Sequence, residues 1–299
     1  MPTASTAPAS PATEAQVGTG VTGPSPRRSR RGNPLGALAG AIWLLIVVVP
    51  LYWVVVTSLR NLAGFFDANP LAPPTEPTLH NYRLVWEGGF VRYLVNSAIV
   101  TVAAVGLTLA VSVLAAYAIV RGTGRPVRLT FQFFLLGLAI PQQATIIPIY
   151  YLITRMRLYD SLTAIVLPSV AFAIPLTVLI LVNFLRDVPV ELFDAMRVDG
   201  AGDWRMLWSL VLPLARPAVV TVMVYDALQV WNGFLFPLIL TQSPAQRVLP
   251  LSLWAFQGEF RVNTPAILAA VVLATLPILT LYVVGRRYLV SGLTAGFGR

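Results

Sequence analysis

Five stretches of this chain, 32–59, 93–120, 129–154, 161–185 and 262–285, contain no charged residue, and a sixth, 217–246, is interrupted only by Asp226. No other feature limits the fold so severely. A bilayer core is crossed by roughly 20 consecutive apolar residues, and each run is that long. Soluble domains carry about a quarter of their residues as charges, whereas here 11% are charged and 57% hydrophobic. The pattern predicts an all-α, polytopic membrane protein with six transmembrane helices, at about 35–59, 93–120, 129–154, 161–185, 214–241 and 263–285. Two neighbouring runs that merge, or one that re-enters the side it left, fit the same periodicity.

All 21 basic residues are arginines, cysteine is absent, and His80 is the single histidine. A chain without lysine has no P-loop lysine, so it carries no ordinary nucleotide-hydrolysing site. A chain without cysteine has neither thiol nucleophile nor disulfide, and one histidine builds no His-rich metal site. No catalytic residue and no metal ligand is therefore assigned. The net charge of +9 comes from arginines that flank the spans, which points to membrane orientation rather than to nucleic acid.

Residues 1–34 are rich in Ala, Pro, Thr, Ser and Gly, with a basic knot, RRSRR, at 27–31. They are expected to form a disordered basic cytoplasmic tail ahead of a membrane domain at 35–299. A twin-arginine export signal competes for SRRGNPLGALAGA, but the apolar run that follows is too long for a cleaved signal and five more spans come after it. With the N-terminus inside, fourteen arginines fall on cytoplasmic segments and seven (60, 83, 92, 155, 157, 247 and 261) outside. This imbalance places both termini in the cytoplasm. Prolines 50, 141, 148, 168, 175, 237 and 277 lie within spans and read as packing kinks. Ala103, Ala104, Gly106, Ala115 and Ala116 permit close helix approach.

Between the fourth and fifth runs lies a polar island, 186–213, with Asp187, Glu191, Asp194, Arg197, Asp199, Asp203 and Arg205. On a helix over 190–198, Leu192, Phe193, Ala195 and Met196 share one side, and Glu191, Asp194 and Arg197 the other. Pro189 suits its first turn. Gly200 is placed to end it in a left-handed conformation, and Asp203 to N-cap a second helix carrying Trp204, Leu207, Trp208 and Val211. Pro213 and Pro217 mark the turn back into the bilayer. Two uses fit: a helix lying on lipid headgroups, or a knob docking on a cytoplasmic partner.

The run DAMRVDGAGDWRMLWSLVLPLARP resembles the EAA loop of permease subunits in bacterial ABC importers. Asp194, Ala195 and Met196 take the E-A-A positions, Asp199, Gly200 and Ala201 the D-G-A positions, and Leu212 and Pro213 the L-P pair. Asp is one methylene shorter than the usual Glu, and Met bulkier than the usual Ala. NYRLVW (81–86), YLVNSAIVT (93–101), AAYAIVRG (115–122), LYDSLTAIVLPSVAFAIP (158–175), WNGFLFPLIL (231–240) and GLTAGFG (292–298) resemble the maltose-type carbohydrate branch of that family. The likeness covers about residues 40 to 298.

The resemblance implies a type I ABC importer permease fold in the cytoplasmic membrane, moving a sugar or oligosaccharide by alternating access. It implies that Glu191, Asp194, Ala195, Met196, Asp199, Gly200, Ala201, Leu212 and Pro213 couple the chain to an ATPase. The partners would be a second homologous permease, a cytoplasmic ABC ATPase dimer and an extracytoplasmic solute-binding protein. The chain itself would hold no cofactor; ATP and Mg would belong to the ATPase. An ion- or proton-coupled secondary transporter is the alternative, since it would explain Asp226, but the sequence has no clear internal repeat. An intramembrane serine hydrolase would need a base that an outer His80 does not supply. Asp226, Gln229, Trp231 and Asn232, with Asn96, are the candidate substrate pathway; pairing of Asp226 with the second permease is the other use.

Overall fold

The computed structural model describes residues 34–67, 69–253 and 262–295. The expected tail, apart from Pro34, lies outside them. Among the described residues the regular elements are helices. The chain divides after Val48 into two units, and α1 (Pro34–Ser58) passes through that point. In the first unit Leu38, Ile42, Trp43 and Leu45 are all largely exposed, the surface of a helix solvated by hydrocarbon.

The second unit begins with the last turns of α1, followed by α2 (Leu62–Asp67) and α3 (His80–Glu87). The connection is organised by Arg60, only 3% exposed. Its Nη2 donates to the carbonyl oxygens of Asn69, Pro70 and Ala72, while Asn81 Nδ2 donates to those of Ser58 and Arg60. These carbonyls replace the water of Nη2 and so lower the cost of burying the guanidinium, while its buried Nε has no hydrogen-bond partner among the described residues.

The 32-residue helix α4 (Phe90–Arg121) runs against α7 (Leu162–Arg186). Ala104 and Ala116 of α4 are fully buried: side chains this small let the backbones approach, which is how helices associate where lipid is as apolar as leucine. At one end Ala116 and Ile119 pack with Val178, Leu181 and Leu185. At the other Val100 and Ala104 pack with Ala164, Ile165 and Val166. The N-terminal end of α4 is also tied by polar contacts. Asn96 Nδ2 donates to the carbonyls of Ala245 (2.9 Å) and Arg247 (2.8 Å), and Ser97 Oγ accepts the Leu249 N–H at 2.8 Å. Asp160, just before α7, accepts the N–H groups of Gln242 (2.8 Å) and Ser243 (2.9 Å).

The third expected span, 129–154, is not one helix. It consists of α5 (Arg125–Gly137), a 3-10 turn at Gln142–Thr145 and α6 (Ile146–Arg155), bent by 94°. Pro141 has no N–H to continue the ladder and pushes Ile140 out of the helical region; its own ψ of 127° is extended. Gly137 lets α5 close on α7, since a Cβ there would lie 2.7 Å from Pro175 Cγ.

The fifth span also differs. The segment Asp203–Trp231 runs continuously for 29 residues, as α9 (Asp203–Met206), a π turn at Leu207–Val211 and α10 (Leu212–Trp231). Pro213 and Pro217 therefore do not turn the chain; the π turn absorbs the amide that Pro213 lacks. The helix then breaks at 232–234, so the residues up to 241 belong to a separate α11 (Leu235–Leu240). A short α12 (Leu249–Ser252) and α13 (Thr264–Ala295) complete the chain. Among the described residues, four helices are long and apolar enough to cross a membrane, five if the bent pair is one span; the apolar part described for α13, Thr264–Thr280, is shorter.

Candidate functional site

The polar island forms a helix where its spacing placed one, α8 (Val190–Val198), with Pro189 at the N-cap and Glu191 in the first turn. Phe193 is 2% exposed and Met196 half-buried. Together they seat α8 on the core formed by Leu185, Met206 and Val211. Leu192 and Ala195, expected on the seated side, are instead exposed, because so short a helix buries one ridge three residues apart rather than a broad stripe. The outward face thus combines Glu191, Asp194, Arg197 and Asp199 with Leu192, Ala195 and Val198.

Gly200 ends the helix with φ +75°. The Ala201 N–H donates to the Met196 carbonyl at 2.9 Å and the Gly200 N–H to that of Arg197 at 3.0 Å. This is a Schellman closure, in which a left-handed residue lets two amides return to the last turn. Asp203 does not cap the next helix: Gly202 holds that position, and Asp203 Oδ1 accepts the Tyr117 hydroxyl at 3.0 Å. Arg121 places its guanidinium 4.6 Å from the Phe193 ring centre, and Arg186 stacks at 4.9 Å on Phe131; both are attractions of a cation to a ring face. Leu212 and Pro213 open α10. Tyr117 and Arg121 were missed in the sequence. Their signal was the four-residue spacing that puts them on one face at the end of α4.

The pathway candidates separate into three groups. Asp226 is 2% exposed, and its Oδ2 accepts the Thr177 hydroxyl at 2.9 Å. With Gln229 it lines a cavity of about 340 Å³. Trp231 and Asn232 line a different cavity, with Leu249 and Ile278, and Asn232 Nδ2 donates to the Leu228 carbonyl. At about 100° per residue Trp231 lies about 140° around the helix from Asp226, so the four do not face one ligand as expected. Asn96 lines neither cavity; its amide is committed to the 245–247 carbonyls.

The family described as "Binding-protein-dependent transport system inner membrane component" matches residues 106–294. The putative ABC transporter permease protein ORF2 of Caldicellulosiruptor sp. is 38% identical over 256 residues, covering 86% of this chain and 93% of that protein. The diacetylchitobiose uptake system permease protein NgcG of Streptomyces coelicolor is 31% identical, covering 85% of each. A chain from the crystal structure of a bacterial ABC transporter involved in import of the acidic polysaccharide alginate superposes with a TM-score of 0.76 at 21% identity. It covers 85% of this chain and 95% of that one, and so shares the fold. The loop motif, the helical bundle and these likenesses converge: the chain belongs to the inner-membrane permease subunits of binding-protein-dependent ABC importers.

Proposed function

We propose that this subunit carries a sugar or oligosaccharide through the membrane by alternating access, driven by a separate ATPase that docks on the 187–213 loop. The observation that carries the reading is the outward face of α8, charged and apolar together, closed at Gly200 and held to the bundle by Phe193. ATP and Mg belong to the ATPase pair, and this chain contributes half of the pathway and no chemistry. A second permease and a solute-binding protein complete the assembly. The diacetylchitobiose relative supports a saccharide as the cargo. Ion coupling, the other use of an intramembrane acid, has no support from the family.

Closure of the ATPases would draw the loops together and rock the packed spans as bodies. The test is reconstitution with the partner subunits. ATP should drive uptake of labelled oligosaccharide, protonophores should not abolish it at fixed ATP, and the purified chain should hydrolyse no ATP. Uptake that follows an ion gradient without ATP overturns the reading.

A further inference from the structure

The cavity beside Asp226 lies among three elements, two of which have irregular backbone where they meet it. One wall is the α5–α6 break, with Gly137, Leu138, Ile140 and Gln142; another is the α10–α11 break, with Gly233 and Phe234. The third is the centre of α7, from Ser169 to Leu176, where no regular turn is lost. Within a bilayer, backbone that leaves the helix is tolerated only where protein buries it or a water-filled cavity receives it. Two breaks open on this one space at mid-height of α7, an arrangement that suits a water-filled cavity.

Its polar groups come from more than one wall. Asp226 has Oδ2 engaged by Thr177, which leaves Oδ1 available to a ligand. Gln229 follows on the same face of α10, and Gln142, Tyr225 and Ser169, whose hydroxyl donates to the Ile165 carbonyl, also line the space. Phe172, Phe234 and Phe236 add flat apolar surfaces, with the Phe172 and Phe236 rings 5.7 Å apart. Among the described residues no arginine lines the cavity, so a phosphate or carboxylate ligand would find no counter-charge there. A lone carboxylate is too little for a divalent ion, and a lipid chain would leave the amides unpaired. Hydroxyls for the acid and amides, with C–H faces for the rings, are the chemistry of a neutral sugar. The volume suits a small ligand, at the low end of the roughly 300–1,000 Å³ of such sites.

We propose that this cavity is a subsite of the chain's own for a neutral pyranose ring of the cargo, with Asp226 and Gln229 as its hydroxyl partners. It rests on the transport reading above and adds where, and by which groups, the sugar is held.

The experiment uses the assembled complex in membrane vesicles. Ser169→Cys places the only thiol in this subunit at the cavity. Maltose, trehalose and N,N′-diacetylchitobiose are tested for uptake and for slowing of maleimide labelling at that thiol, with galacturonate and choline as charged controls. A transported disaccharide should slow labelling, and the controls should not. Asp226→Leu, paired with Thr177→Val so that no hydroxyl is orphaned, should remove the protection and raise the uptake KM about tenfold or more. Gln229→Leu, an exposed position that does not threaten folding, should weaken protection in the same direction. Uptake without any slowing, or protection that survives both variants, overturns the subsite while transport stands. Protection by choline alone assigns the cavity to a cation and overturns it too. If a complex that turns over ATP takes up none of the three sugars, the carbohydrate reading fails, and the subsite with it.

Discussion

At the scale of single residues, Gly200 and Gly202 form a matched pair. A Cβ at either would meet nothing within 4 Å, yet only Gly200 has a positive φ, +75°. Valine at 200 therefore costs backbone strain alone, on the order of 1–2 kcal/mol, and misplaces the outward face of α8. Gly200→Val should leave the protein inserted and paired, but lower ATPase recovery and uptake per permease; Gly202→Val should change neither. Co-purification beside transport measures both. Asp160 makes a second test, since the Gln242 and Ser243 amides hold its carboxyl below the ordinary 3.8. A depressed pKa stabilises above the unfolded value and loses that contribution as pH falls through the folded one. Thermal unfolding of Asp160→Ala in detergent should therefore fall below wild type at neutral pH, and the gap should narrow below about pH 4. Gly200 was legible because a glycine just past an amphipathic turn has a local reason to be there. The partner of Asp203 was not, because Tyr117 lies 86 positions away.

At the scale of elements, the third span was legible as an apolar run but not as a break. A proline in a membrane helix is compatible with a mild kink or with the 94° bend found here, and the close approach of Gly137 to Pro175 that accompanies the bend is a tertiary contact no local pattern reveals. Gly137→Ala forces a methyl to within 2.7 Å of a rigid ring and should cost about 1–3 kcal/mol, read as a lower midpoint in thermal unfolding. Gly106→Ala in α4 meets nothing within 4 Å and should be neutral or stabilise by about 0.5–1 kcal/mol. The division of the pathway candidates was open to arithmetic, since a five-residue step along α10 leaves Trp231 off the Asp226 face. The commitment of Asn96 to 245–247 was not, because those carbonyls follow a helix break.

At the scale of the whole molecule, family and fold were legible because the loop motif is specific and the apolar runs long; orientation still rests on fourteen arginines against seven. Single cysteines test it. Thr75→Cys should react with an impermeant thiol reagent outside intact cells, and Gly202→Cys, also exposed, should not; the reverse result would invert the topology and remove the docking role. The polar ties of α4 are unequal at its two ends. Asn96 and Ser97 make three hydrogen bonds to the 245–249 segment at one end, whereas Tyr117 makes one to the loop at the other. From Asn96 to Arg121 at the end of α4 is about 38 Å, so a tilt of about 5° about Asn96 carries that far end about 3 Å. Were the spans to rock as packed bodies, α4 would be a lever arm with its fulcrum at Asn96, turning a change of angle too small to break those bonds into a step of a few ångströms at the loop.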